Sequence, residues 1–198
     1  MSDVSQQTDA QWTIGRLLAW TREHFQARGI DEPRLSAELL LAHALGCRKI
    51  DLYARFEESP PNEKRSAFRE LVKAAAEHKP ISYLIGRKEF YSLEFEVTPD
   101  VLIPRPETEL LVERTLAHFK SHDRPEPRML DVGTGSGCIT IAVLKRHKTA
   151  SAVATDISSG ALSVAKRNAD RHGVSDRAAW VETSWLDLPA DSIPADRF

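Results

Sequence analysis

Between Trp12 and His78 apolar residues return every three or four positions, the period of an amphipathic helix, and beyond Pro80 the period falls to two. Ile14, Leu17, Leu18 and Phe25 mark one helical face, which Gly29 stops. The segment DEPRLSAELLLAHALG opens with Asp31 and a proline in its first turn and closes at Gly46, the start and stop punctuation of a second helix. A shorter piece around KIDLYARF follows, and SPPN opens a last helix through EKRSAFRELVKAAAEH that Pro80 is expected to end. Residues 1–80 are therefore expected to form a helical bundle with its own core. In EFYSLEFEV, Leu93, Phe95 and Val97 alternate with Glu94 and Glu96, which predicts a β-hairpin within a linker over 81–103.

From residue 104 onward helices and strands alternate. The stretch TELLVERTLAHF is helical and the Pro-rich DRPEPR breaks it. Then RMLDV, CITIAVLKRH, SAVATD, SSGALSVAKRNADRHG and AAWVE read as strand, helix, strand, helix, strand. That order predicts an α/β fold over 104–198, a parallel sheet flanked by helices. The close of the chain, LPADSIPADRF, runs from an acidic loop into what reads as a strand beginning, so the chain is expected to be a fragment.

Composition narrows the setting. A length of 198 residues with 41% hydrophobic content allows one large or two small cores. No run approaches the ~18 apolar residues of a membrane span, and MSDVSQQTDA lacks the basic and apolar parts of a secretion signal, so a cytoplasmic protein without a membrane partner is expected. A net charge of −2 offers no footprint for a nucleic-acid backbone, and no direct nucleic-acid partner is expected. Cys47 and Cys138 stand apart without metal-ligand spacing and read as small buried hydrophobes. The histidines are scattered, His43 and His78 reading as helix residues, and no metal site is expected.

The chemistry gathers at DVGTGSG, between a predicted strand and a predicted helix, where glycines let the backbone turn sharply and approach a ligand. A dinucleotide loop wants G-x-G-x-x-G; Gly133, Gly135 and Gly137 make G-x-G-x-G, with Cys138 where the third dinucleotide glycine would stand. That spacing disfavours NAD and suits S-adenosylmethionine, which has no pyrophosphate to cradle. Asp156, closing SAVATD, offers two acceptor oxygens to the two hydroxyls of a ribose. Asp131 is open to two roles, holding a ligand amino group or satisfying donors at the strand end. Arg105, Glu107 and Glu109 either line the approach to the loop or serve the first turn of the helix that begins there, with Pro104 and Pro106 stiffening the way in.

Three stretches together resemble one family. EFYSLEFEVTPDVLIPRPETELLVE, LDVGTGSGCITIAV and ATDISSGALSVAKRNADRHGV are similar to the HemK/PrmC family of peptide-chain release factor glutamine methyltransferases, and LIPRPETELLVE is the most specific of them. SAELLLAHALG and KPISYLIGRKEF resemble the family's amino-terminal domain. The resemblance implies a helical substrate-recognition domain followed by the first half of a class I, Rossmann-like, S-adenosylmethionine-dependent methyltransferase domain. It implies that Gly133, Thr134, Gly135, Ser136 and Gly137 form the cofactor loop, that Asp156 binds the ribose, and that Trp185 lies against the adenine, where a half-buried core role is the alternative. The family's acidic residue before that aromatic is Ser184 here.

The implied reaction methylates the side-chain amide nitrogen of the glutamine in the Gly-Gly-Gln motif of release factors, a step in translation termination. An amide nitrogen is a poor nucleophile because its lone pair is delocalised, so acceptors aimed at its hydrogens and close placement must supply the acceleration. In the family an Asn-Pro-Pro-Tyr loop does this; the tetrapeptide does not occur in these 198 residues, so no catalytic residue is assigned. An adenine-N6 nucleic-acid methyltransferase and a non-catalytic release-factor-binding module are the alternatives. Residues 1–198, incubated with labelled S-adenosylmethionine and a release factor, are expected to bind cofactor weakly at best and to transfer no methyl group. Catalytic turnover would show that the tetrapeptide is dispensable.

Overall fold

The computed structural model describes residues 12–122 and 125–184. The chain divides into two compact units, Met1–Ile85 and Gly86–Phe198. The division falls five residues beyond the boundary expected at 80, and residues 81–103, expected as a linker, are shared between the units.

The first unit is helical: α1 Ile14–Ala27, α2 Pro33–Leu45, α3 Lys49–Ala54, α4 Asn62–Ala76 and α5 Ile81–Ile85. Thr13 starts α1, its hydroxyl accepting from the Arg16 N–H, and Ile14, Leu17 and Phe25 turn inward as their spacing predicts. Pro33 opens α2 and Gly46, in the left-handed conformation, closes it. Leu40, Leu41, Leu52, Phe68 and Val72 complete the core with them. The end of α4 differs from expectation. His78, not Pro80, reverses the chain: it takes a φ of 62°, its N–H donates to the Ala75 carbonyl, and the Lys79 N–H reaches back to Ala74. These are the two bonds of a Schellman closure, with a histidine where glycine is usual. Pro80 instead begins α5, its carbonyl accepting from Tyr83 and Leu84.

The second unit opens with an antiparallel hairpin, β1 Arg87–Phe90 and β2 Leu93–Glu96, with Phe90 opposite Leu93. Its turn places Tyr91 and Ser92 at positive φ without a glycine. The Glu109 carboxylate accepts from the Tyr91 N–H at 2.8 Å, and the Arg146 guanidinium lies 5.1 Å from the Tyr91 ring centre. After α6 Glu109–Ser121 come β3 Arg128–Val132, α7 Cys138–Arg146, β4 Ser151–Asp156, α8 Ser159–His172 and β5 Ala178–Glu182. The three strands are parallel in the order β3-β4-β5, with Asp131 beside Ala154 and Asp156 beside Glu182, the α/β arrangement expected from the alternation. Phe90 and Phe95 of the hairpin, packed edge to face, sit in one core with Val112, Ile141 and Leu144.

One fully buried polar side chain joins the hairpin to the rest of this unit. Asn168 of α8 accepts from the Glu96 N–H at 2.8 Å and donates to the Glu96 carbonyl at 3.1 Å and the Ser136 carbonyl at 3.0 Å. Nearby, Arg167 forms a two-pronged ion pair with Glu96, whose carboxyl it holds below the usual range. Asn168→Leu removes the buried bonds while keeping the bulk, and should lower stability in urea unfolding by about 3 kcal/mol because it strands buried backbone groups. Glu96→Gln, which weakens only a partly exposed pair, should lower it by less than about 1 kcal/mol. Equal effects would mean that the carboxamide does not carry the joint.

Candidate functional site

The C-terminal ends of β3 and β4 carry the glycine loop and Asp156 side by side. Gly133 and Thr134 both donate their N–H groups to the Thr155 carbonyl at 2.9 Å, so the loop is laced to the neighbouring strand as soon as β3 ends. The Gly137 N–H closes on the Thr134 carbonyl at 2.9 Å, and Gly137 caps α7 with a φ of 78°. The Gly135 N–H donates to Asp156 Oδ2 at 2.9 Å, and Asp156 Oδ1 accepts from the Ser158 N–H at 3.0 Å. The Asp156 carboxylate thus brackets the loop to the start of α8, where Ser158 caps the helix through its hydroxyl.

Two consequences follow for a ligand. The N–H groups of Gly133, Thr134, Gly135 and Gly137 are engaged within the protein, so they do not form a cradle for phosphate oxygens. A carboxylate offers about four lone-pair positions and two are in use, which leaves Asp156 able to accept from ligand hydroxyls. A Cβ added at Gly135 would meet no atom within 4 Å, so bare backbone faces open space. The arrangement favours a ligand rich in hydrogen-bond donors over a polyanion.

Asp131 satisfies donors at the end of β3, and these are side-chain hydroxyls and not backbone groups. Its Oδ2 accepts from two hydroxyls, Thr134 at 2.8 Å and Thr140 at 2.7 Å, and so ties the loop to the first turn of α7. Ser136 is buried, its carbonyl held by Asn168. Cys138 is buried behind the loop, and desolvation pushes its thiol up to about 11, so it is inert near neutrality. Arg105 and Glu107 form an exposed pair with each other at 3.9 Å, while Glu109 serves the hairpin turn. Trp185 lies outside the described residues.

Two residues escaped the sequence reading. Val132 and Ile157, immediately before Gly133 and after Asp156, are 43% and 73% exposed. Large branched apolar side chains where polar turn residues are ordinary were the available signal. They give the polar bracket an apolar margin.

Residues 16–86 match the family model of the PrmC N-terminal domain, and residues 111–196 match that of ribosomal protein L11 methyltransferase (PrmA). The release factor glutamine methyltransferase of Rhodopirellula baltica is 45% identical over 181 residues, covering 90% of this chain and 61% of that protein. That of Chlorobaculum tepidum is 43% identical over 186 residues, covering 92% of this chain and 63% of that protein. By sequence, the chain is similar to the release factor glutamine methyltransferases over most of its length. It spans about three fifths of the length of these curated relatives. Among solved structures, the N-terminal domain of human METTL16 in complex with SAH aligns at 23% identity over 55% of this chain and 43% of that one, with a TM-score of 0.42.

Within the loop the two glycines at its centre and end should respond differently to a methyl group. Both have positive φ, which costs an L-residue roughly 1–2 kcal/mol. At Gly137 a Cβ would also lie 3.0 Å from Ile141 and 3.2 Å from Ala165 and Trp180. Gly135→Ala should lower stability by about 1 kcal/mol and Gly137→Ala by about 3 kcal/mol, read from chemical unfolding curves. The reverse order would contradict the packing described at the head of α7.

Proposed function

We propose that this chain comprises the recognition unit and the cofactor-binding half of an S-adenosylmethionine-dependent enzyme that methylates the glutamine side-chain amide of the Gly-Gly-Gln motif in peptide-chain release factors. The observation that carries the reading is the Asp156 bracket: a strand-end carboxylate with acceptor capacity left, beside a glycine loop whose N–H groups are engaged. S-adenosylmethionine supplies an electrophilic methyl group on its sulfonium.

The residues of this chain bind and orient. Gly133, Thr134, Gly135, Ser136 and Gly137 would carry the methionine end along bare backbone, and Asp156 would accept from the ribose hydroxyls. Val132 and Ile157 offer apolar surface to the adenine side. A sulfonium cation is also better tolerated beside a carboxylate than a pyrophosphate would be. Because the loop is already held by Thr155, Asp156 and Asn168, the ligand meets a surface that needs little ordering. The helical unit would recognise the release factor, a cytoplasmic partner.

The test is a cycle between protein and ligand, read by saturation-transfer NMR on the 198-residue chain. Asp156→Ala should weaken S-adenosylhomocysteine binding by ~1.5–3 kcal/mol, roughly 10- to 150-fold. The same ligand without its ribose hydroxyls should bind the unaltered chain as poorly as the variant, and should lose nothing further on the variant. Unchanged affinity in Asp156→Ala, or additive losses, would remove Asp156 from the ribose site.

A further inference from the structure

α1 and α4 each pack against α2 and leave between them a groove of about 590 Å³. Its floor is apolar, with Leu17, Phe68 and Val72, and Trp12 and Trp20 stand at one side, 39% and 49% exposed. Its rim is basic: Arg65, Arg69 and Lys73 follow one another at four-residue spacing along α4, and Arg28 lies at the end of α1. Among the described residues none of these four cations has an ion-pair partner; the Arg65 guanidinium donates to the Asn62 side-chain carbonyl, and its Nε is buried without a hydrogen bond. The single acidic residue of the lining, Glu77, is within 3.8 Å of Lys79.

We propose that this groove is a docking site for an acidic amphipathic helix of a partner protein. The apolar floor takes the buried face of such a helix. The Arg65-Arg69-Lys73 row spans nine residues of α4, a rise of about 12 Å, so carboxylates at successive turns of the incoming helix meet successive cations. Charge complementarity argues for the acidic partner, because a basic helix would leave the row facing like charge. The aromatic residues argue against single-stranded nucleic acid. Trp20 is stacked on His24 at 5.0 Å and meets Trp12 edge to face, and Arg16 lies over Trp12, so one face of each ring is already taken within the protein and fewer remain for stacking bases. The apolar floor is likewise suited to aliphatic side chains and not to phosphates. The proposal refines the recognition role given to the helical unit, while the cofactor loop is in the other unit, so cofactor affinity measured on the same samples tells the two readings apart.

Fluorescence anisotropy on the 198-residue chain tests it with three labelled probes: an 18-residue helical peptide with a leucine stripe and glutamate flanks, its counterpart with lysine flanks, and a single-stranded oligonucleotide. The glutamate peptide should bind at least about tenfold tighter than either other probe, and more weakly as salt is raised. Arg69→Glu with Lys73→Glu, both exposed positions, should reverse the peptide preference while circular dichroism and S-adenosylhomocysteine affinity stay unchanged. Trp20→Ala should weaken the glutamate peptide several-fold. Equal binding of the two peptides, no binding of either, or a tighter oligonucleotide would overturn the proposal.

Discussion

The second unit depends on the carboxamide of Asn168. Its three bonds run to the two backbone groups of Glu96 and to the Ser136 carbonyl, and their polarity admits one orientation of the side chain only. An oxygen must face the Glu96 N–H and the NH₂ must face two carbonyls, so every polar atom is used and none is left buried and unpaired. A hairpin of two four-residue strands is not stable alone. Here it acquires a partner in α8, and the same side chain that anchors it also holds the middle of the glycine loop. Loop and hairpin are therefore coupled through one buried residue, and the loop conformation follows from the core and not from its glycines alone.

Asp156 plays the corresponding part on the other side of the loop. A carboxylate that accepted only from a ligand would be free to rotate in the ligand's absence. This one is oriented by the Gly135 and Ser158 N–H groups, with lone pairs remaining for a second set of donors. Asp131 does the same at the head of α7, with hydroxyls of Thr134 and Thr140 in place of backbone groups. Acidic residues at the ends of β3 and β4 are thus structural first, and what remains of their acceptor capacity is available for chemistry.

Much of this was legible in the sequence. Long periodic helices, three short strands alternating with helices and the G-x-G-x-G spacing are local signals, and they coincide with α1, α2, α4, β3–β5 and the loop. What escaped depends on tertiary partners. The hairpin turn at Tyr91 and Ser92 lacks the usual Asn-Gly signature, and Glu109, eighteen residues away, supplies the bond that holds it. The reversal at His78 replaces glycine by a residue that tolerates left-handed backbone, so Pro80 looked like the stop. Asn168 lies 72 residues from Glu96 and reads in sequence as one more polar position on a helix. Asp131 could be placed at a strand end but not assigned a partner, because Thr140 comes within reach only once α7 turns back over the loop.

Gly137 explains the spacing that separated this loop from a dinucleotide fingerprint. In such a fingerprint the third glycine permits close packing of helix against strand. Here that work falls to Gly137, one position earlier: Ile141, Ala165 of α8 and Trp180 of β5 all approach the space a Cβ would fill. Once that contact is made at Gly137, the next residue has no need to be glycine, and Cys138 fills the interior behind it. The shift also brings α7 in directly after the loop, so the Gly137 N–H turns back onto Thr134 and the Gly135 N–H onto Asp156. Moving the packing glycine by one residue therefore converts a loop of the kind that can offer its N–H groups to a pyrophosphate into one that keeps them and presents a carboxylate beside bare backbone.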